Sequence, residues 1–354
     1  MTRDARPILI TGGAGFIGSN LADRLAGEGH DILVYDALSR PGVERNLAWL
    51  KERHGRRITH VAGDVRDEDE LARAVSDAKA AFHFAAQVAV TTSLVDPRED
   101  FDINVRGTIN LLDAVRMRRE PVPVIFASTN KVYGDFADIE FDTLHDRYEP
   151  KSFAARRGVD ESRPLDFHTP YGCSKGAADQ YVLDYARSFG VPTAVFRMSC
   201  IYGQRQMGTE DQGWVAHFLI RALEGRPITI YGDGRQVRDI LDVADAVNAY
   251  VAALDNIDRV AGRAFNLGGG PANAISLLEL IDEMRGVVGR DIELSFEDWR
   301  QGDQRWFVAD TGSARSAFDL PKPRGWRDGV ARLAEWLAEE RGVELRPELA
   351  SAAQ

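Results

Sequence analysis

Tyr171 and Lys175 stand four residues apart in Tyr171-Gly172-Cys173-Ser174-Lys175, and Thr129 ends the apolar run that precedes Asn130-Lys131-Val132-Tyr133. On a helix, residues four apart share a face. A phenol, an amine and a hydroxyl gathered in one place can move a proton on or off a carbinol oxygen while the carbinol carbon loses or regains hydride. A free tyrosine, with a pKa of about 10, is a weak base at neutral pH. A neighbouring ammonium, or any positive charge brought by a ligand, favours the phenolate. Tyr-x-x-x-Lys alone is common on ordinary helices, so its meaning depends on what accompanies it.

What accompanies it is a glycine-rich turn. Gly12, Gly15 and Gly18, in Thr11-Gly12-Gly13-Ala14-Gly15-Phe16-Ile17-Gly18, follow an apolar strand pattern and open a helical one. Such glycines tighten the turn and let backbone approach a pyrophosphate, whose charge a helix N-terminus favours. Phe16 and Ile17 belong to that turn. The next strand ends at Asp36, where a carboxylate would bind the adenosine ribose hydroxyls and repel a 2′-phosphate. That spacing favours NAD, while Arg40, close to Ser39, keeps NADP open. Gly63-Asp64-Val65 after the third strand places a carboxylate near the adenine. Ala85-Ala86-Gln87 after the fourth offers small side chains that backbone and cofactor can pass. Asn104 is assigned to the same end. The nicotinamide ring, positive when oxidised, would add to the pull of Lys175 on Tyr171, and Lys175 would also bond its ribose.

These groups need a scaffold that presents strand ends together. Apolar runs at Ile8–Thr11, Ile32–Tyr35, Ile58–Ala62, Ala80–Phe84, Val122–Ala127 and Thr193–Met198 read as buried parallel strands. Amphipathic segments Ser19–Ala26, Glu68–Val75, Arg98–Arg116 and Lys175–Ser188 lie between them. This rhythm predicts an α/β fold, a doubly wound parallel sheet with ligands at its carboxyl edge, plus a smaller C-terminal substrate lobe. The expected division assigns 1–200 and about 236–262 to the dinucleotide-binding domain, and about 201–235 and 263–345 to the lobe. A tail is expected at 346–354. Asp135–Pro170 is long, polar and aperiodic, and a connection of that length is more often functional than idle.

Composition narrows the partners. A net charge of −11 over 354 residues argues against a nucleic-acid or anionic-membrane surface, though a few arginines can still hold a small anion. The run Pro7–Ile10 is too short for a signal peptide, and no stretch has the length of a membrane-spanning helix. Two cysteines, Cys173 and Cys200, make no disulfide framework, which points to the cytoplasm. Seven histidines in scattered positions give no metal-site spacing, so no metal is expected.

From Thr11 to about Asp310 the chain resembles the extended short-chain dehydrogenase/reductase superfamily, in particular its nucleotide-sugar epimerases and dehydratases. By that resemblance Tyr171 is the catalytic base, Lys175 its partner and Thr129 the third member. Arg238, in Gln236-Val237-Arg238-Asp239, and Arg300 with Asp303 match positions that hold the nucleotide diphosphate or nucleoside. Surface ion pairs would explain the same arginines equally well from their sequence setting. Gln87, Thr129, Asn130, Lys131, Ser199, Cys200 and Tyr231 complete the expected substrate set. Sugar 4,6-dehydratases carry an Asp-Glu pair after the threonine, the acid and base for eliminating water. This chain has Asn130-Lys131 there.

Thr129-Asn130-Lys131-Val132-Tyr133-Gly134-Asp135 is most similar to the CDP-paratose (CDP-tyvelose) 2-epimerases. So are Ala85–Ser93 and Arg197-Met198-Ser199-Cys200-Ile201-Tyr202-Gly203. The resemblance implies epimerisation of a CDP-sugar at carbon 2 through a transient keto sugar, with NAD retained and the chain a homodimer joined by the helices of Arg98–Arg116 and Lys175–Ser188. Cys173 and Cys200 would sit near the site as small polarizable fillers. Another nucleotide-sugar 4-epimerase, dehydratase or decarboxylase, or a non-catalytic NAD-binding regulator, remains an alternative, since fold does not settle substrate.

Overall fold

The computed structural model describes residues 5–345, so the expected tail at 346–354 lies outside the described residues. Seven parallel strands form the main sheet, in the order Arg263–Leu267, Thr193–Met198, Val124–Thr129, Ala80–His83, Ile8–Thr11, Ile32–Tyr35, Ile58–Val61. Alternate residues feed two cores because both sheet faces are covered. Ile8, Ile10, Val34, Phe82, Ile125 and Phe196 join one with Leu21 and Leu25 of helix Phe16–Gly27 and Tyr250 of helix Val243–Asp255. Leu9, Ala81, Val124, Phe126 and Val195 join the other, with Leu71, Leu111 and Val182 of three helices behind them. Each such side chain, fully buried, contributes about 1.5–3 kcal/mol of transfer free energy. Continuous apolar strands therefore made the sheet visible in the sequence.

Six of its seven strands fall where the sequence predicts them. The seventh, Arg263–Leu267, pairs with Thr193–Met198 at the sheet edge, whereas residue 263 was expected to begin the lobe. Helix Gly312–Phe318 likewise places Ala314 and Phe318 in the core of the main sheet. Chain position misled here: some 65 residues separate this strand from its neighbour. Its pattern is also impure, with Arg263 exposed and Asn266 buried.

The smaller lobe gathers Val215, Leu219, Ile228, Ile230, Leu280, Met284, Val330 and Leu333 into its own core. Its helix Leu277–Val288 starts with a reciprocal cap, the Ser276 hydroxyl accepting from the Glu279 amide and the Glu279 carboxylate from the Ser276 amide. Residues 135–170 form a brace. The strands Phe141–Thr143 and Tyr148–Pro150 pair, Phe136 and Val159 are buried, and the Val159 amide donates to Val308 O.

Candidate active site

A cleft of roughly 860 Å³ runs along the carboxyl edge of the sheet and into the smaller lobe. At one end the glycine turn provides a cradle. Gly12 has φ +67°, and a Cβ there would lie 2.7 Å from Ala85 N; one at Gly18 would lie 2.3 Å from Gly12 O. Helix Phe16–Gly27 begins after Gly15 with no side chain capping it, so its first amides face the cleft with the positive end of the helix dipole. Phe16, Ile17, Ser39, Asp64, Val65, Ala85 and Ala86 line this end, with Arg40 exposed at the mouth. The Asp36 carboxylate is fixed by two backbone amides, Ala14 N at 2.9 Å and Leu38 N at 2.9 Å. Arg66 grips the Asp64 carboxylate at 3.0 and 2.6 Å and holds it below the usual carboxylate range. These residues fit a dinucleotide: space only glycine leaves, free amides for the pyrophosphate and a carboxylate for the ribose.

Tyr171 and Lys175 occupy the first turns of helix Thr169–Phe189, with Pro170 near its start, where the missing amide costs nothing. Both are buried. Burial pushes the Tyr171 phenol up to about 12, and the neighbouring Thr129 hydroxyl pulls the other way. Burial also draws the Lys175 amine down to about 7, against the Coulombic pull of Asp179 and Asp100. Its Nζ sits 4.2 Å over the Phe126 ring and makes no hydrogen bond or ion pair among the described residues. The expected acidification of Tyr171 by Lys175 is therefore not a property of the protein alone. Burial works against the charged form of each group, and charge brought by a ligand would shift that balance.

Behind the pair, Arg197 meets Asp179 in a buried salt bridge at 3.0 and 2.9 Å, and the Ser128 hydroxyl donates to the same carboxylate at 2.7 Å. Such a pair is costly to break from one side, about 3–5 kcal/mol.

At the other end Lys131 is half-buried. Its Nζ donates to Gly302 O at 3.2 Å and lies 3.9 Å from Asp303, while desolvation brings it down to about 8. Asp303 in turn accepts from Arg238 at 2.6 Å, and Arg238 also donates to Gln304 O at 2.6 Å. Arg300 lies 3.8 Å over the Tyr231 ring and pairs with Glu210 and Asp211. Asn130, Ser199 and Cys200 line the space between, with Ser199 donating to Asp239 O at 2.8 Å.

Three expectations change. Gln87 and Asn104 do not line the cleft: Gln87 N donates to Asn104 Oδ1 at 2.9 Å, Asn104 Nδ2 donates to Gln87 O at 3.0 Å, and both side chains reach Asp100. They hold the strand-end loop from behind. Cys173 is exposed, with Sγ 3.8 Å from Phe167 O, and only Cys200 reaches the cleft. Sequence reasoning also missed the segment 206–214, whose Gln206, Glu210 and Trp214 line the nucleotide end; it has no periodicity to signal it. A surface group unmarked by spacing, Asp135, Asp166 and His168, brings three ligand atoms within 4.8 Å of one another, and none of the three lines the cleft.

The sequence profile of the NAD dependent epimerase/dehydratase family matches residues 8–268. This chain belongs to that family. A CDP-paratose 2-epimerase of Salmonella typhi is 45% identical over 336 residues, 93% of this chain and 98% of that one. A putative UDP-glucose 4-epimerase of Methanocaldococcus jannaschii is 31% identical over 93% of this chain and 98% of its own. Among solved structures, the UDP-glucose 4-epimerase of Thermus thermophilus in complex with NAD superposes with a TM-score of 0.77 at 28% identity, covering 94% of this chain and 98% of that one. The UDP-glucuronic acid 4-epimerase of Bacillus cereus, with UDP-glucuronic acid and NAD, gives 0.81 at 26%, covering 94% and 99%. The family's cofactor is NAD, and the residues of the cradle fit such a dinucleotide.

Proposed function

We propose that this chain is an NAD-dependent epimerase acting at carbon 2 of a CDP-linked sugar, of the CDP-paratose to CDP-tyvelose type. The observation that carries the reading is the pair beside Tyr171: a neutral, buried Asn130 and a half-buried Lys131 stand where elimination of water would need an acid and a base. Epimerisation needs only reversible oxidation, for which Thr129, Tyr171 and Lys175 suffice. The choice of CDP and of carbon 2 draws on the likeness to the Salmonella typhi enzyme.

NAD, when bound, supplies the hydride acceptor and donor and, in its oxidised form, a positive charge. Tyr171 takes the proton of the carbon-2 hydroxyl and later returns it. The Thr129 hydroxyl, beside the phenol, orients the reacting oxygen. Lys175, once charged, stabilises the phenolate from the adjacent helical turn. Arg238 holds the diphosphate, because guanidinium donors match its oxygens. Between the two half-reactions the sugar must show its opposite face, so it has to turn while its diphosphate stays anchored.

The homodimer belongs to the same reading. Phe101 and Tyr181 are exposed on the two helical segments expected to pair, and Val95, 86% exposed, and Phe189 lie just outside those segments. An apolar set of this kind fits an isologous contact between two copies. The free thiols Cys173 and Cys200 suit a reducing cytoplasm. Incubation with CDP-, UDP-, GDP- and dTDP-sugars, with products identified by NMR, tests the whole reading. Inversion at carbon 2 of a CDP-sugar is expected; a dehydrated product, or turnover only of UDP-sugars at carbon 4, would overturn it.

A further inference from the structure

Lys131 stands between the catalytic turn and the diphosphate end of the cleft. It follows Thr129 in the short helical turn Asn130–Tyr133, its amide donating to the Thr129 hydroxyl at 3.3 Å. A Cβ on Gly172 would come within 3.4 Å of Lys131 O, so this backbone is packed on the residue next to Tyr171. The side chain lines the cleft and ends at Gly302 and Asp303. An ammonium has three N–H donors. Gly302 O takes one at 3.2 Å, and Asp303 at 3.9 Å lies beyond hydrogen-bond length. The others have no partner among the described residues. Arg238 is more fully engaged, donating to Val237 O at 2.7 Å and to Asp303 and Gln304 O at 2.6 Å each.

The charges in this corner do not balance. Lys131 and Arg238 face a single carboxylate, Asp303, and burial pushes the nearby Cys200 thiol up, away from a thiolate. Arg300 adds little, because Glu210 and Asp211 already face it at 3.3 and 3.5 Å. Even with desolvation, an amine at about 8 is mainly charged at neutral pH. We propose that Lys131 binds the sugar-linked phosphate of the substrate's diphosphate, leaving the nucleoside-linked phosphate to Arg238. The order follows from position: Lys131 adjoins the turn that carries Thr129 and Tyr171, and Arg238 reaches the same corner from the far side of Asp303. Bonds between an ammonium and a phosphate oxygen are charge-assisted, and stronger than neutral ones. Held at that phosphate, the substrate turns its keto sugar only about the bonds between the phosphorus and the ring.

The inference rests on the substrate's being a nucleotide sugar, but not on which carbon is epimerised, since binding needs no turnover. CDP carries both phosphates and CMP only the nucleoside-linked one, so calorimetry with the two ligands isolates the contact. Lys131→Met keeps the chain length and removes the charge. Its affinity for CDP should fall by about tenfold to a hundredfold, as for the loss of a hydrogen bond to a charged group. Its affinity for CMP should stay within about twofold of native. Arg238→Ala should weaken both ligands. Lys131→Gln gives the same comparison if the Met variant does not fold. Equal losses for CDP and CMP, an unmoved CDP affinity, or native CMP affinity in Arg238→Ala would each overturn the inference. If native protein binds UDP, GDP or dTDP instead of CDP, the CDP reading falls, and that diphosphate with its monophosphate decides the role of Lys131. Native protein that binds none of the four overturns both.

Discussion

Lys175→Met replaces a buried amine with an uncharged chain of similar length, and the structure says which way stability should move. Burial lowers Lys175 from 10.5 to about 7. A base whose folded pKa lies below its unfolded one burdens folding; the burden is complete below the folded value and vanishes above the unfolded one. Each tenfold change in proton affinity is worth about 1.4 kcal/mol, so the full burden near pH 7 would be about 4 kcal/mol. Local relaxation and entry of water reduce that to roughly 1–3 kcal/mol. The Met variant should therefore be more stable than native protein at pH 6–7, with the gap closing toward pH 10. Its turnover should be nearly abolished. Urea unfolding at several pH values measures this, with NAD content followed in parallel because bound cofactor also stabilises the fold. A Met variant that is weaker at every pH, by a constant amount, would refute the claim that the amine is held against its preference.

Other substitutions probe other parts of the site. Tyr171→Phe should lower turnover by about 10²–10⁴-fold with NAD content unchanged, measured by steady-state kinetics; near-native turnover would assign the base elsewhere. Gly18→Ala would put a methyl group 2.3 Å from Gly12 O and 2.8 Å from Gly13 Cα, so the turn must open. The variant should be purified with little NAD, as read by mass spectrometry after denaturation. Arg238→Ala should weaken CDP binding in calorimetry by about 1.5–3 kcal/mol, and unchanged affinity would free Arg238 from the diphosphate.

What could be read from the sequence was what local pattern encodes. Strands buried on both faces leave continuous apolar runs, and Gly12 and Gly18 mark a close approach, because a Cβ at either would meet backbone at under 3 Å. Tyr171 and Lys175 were legible through their four-residue spacing. The same geometry shows why Cys173 was misplaced: two residues beyond Tyr171 on a helix lies the opposite side, and Cys173 faces solvent. Gln87 and Asn104 were expected in the cleft, but side-chain direction is not in the motif, and both turn toward Asp100 instead. Strand Arg263–Leu267 was hidden by its distance along the chain from the strand it pairs with.

The central claim is that the hydrogen at carbon 2 leaves and returns within the closed site, and its isotopic fate tests that most directly. CDP-paratose carrying deuterium at carbon 2 should yield CDP-tyvelose with the label retained, and unlabelled substrate turned over in deuterium oxide should gain none. Exchange of the carbon-2 label with solvent, or retention accompanied by inversion at carbon 4, would contradict the account.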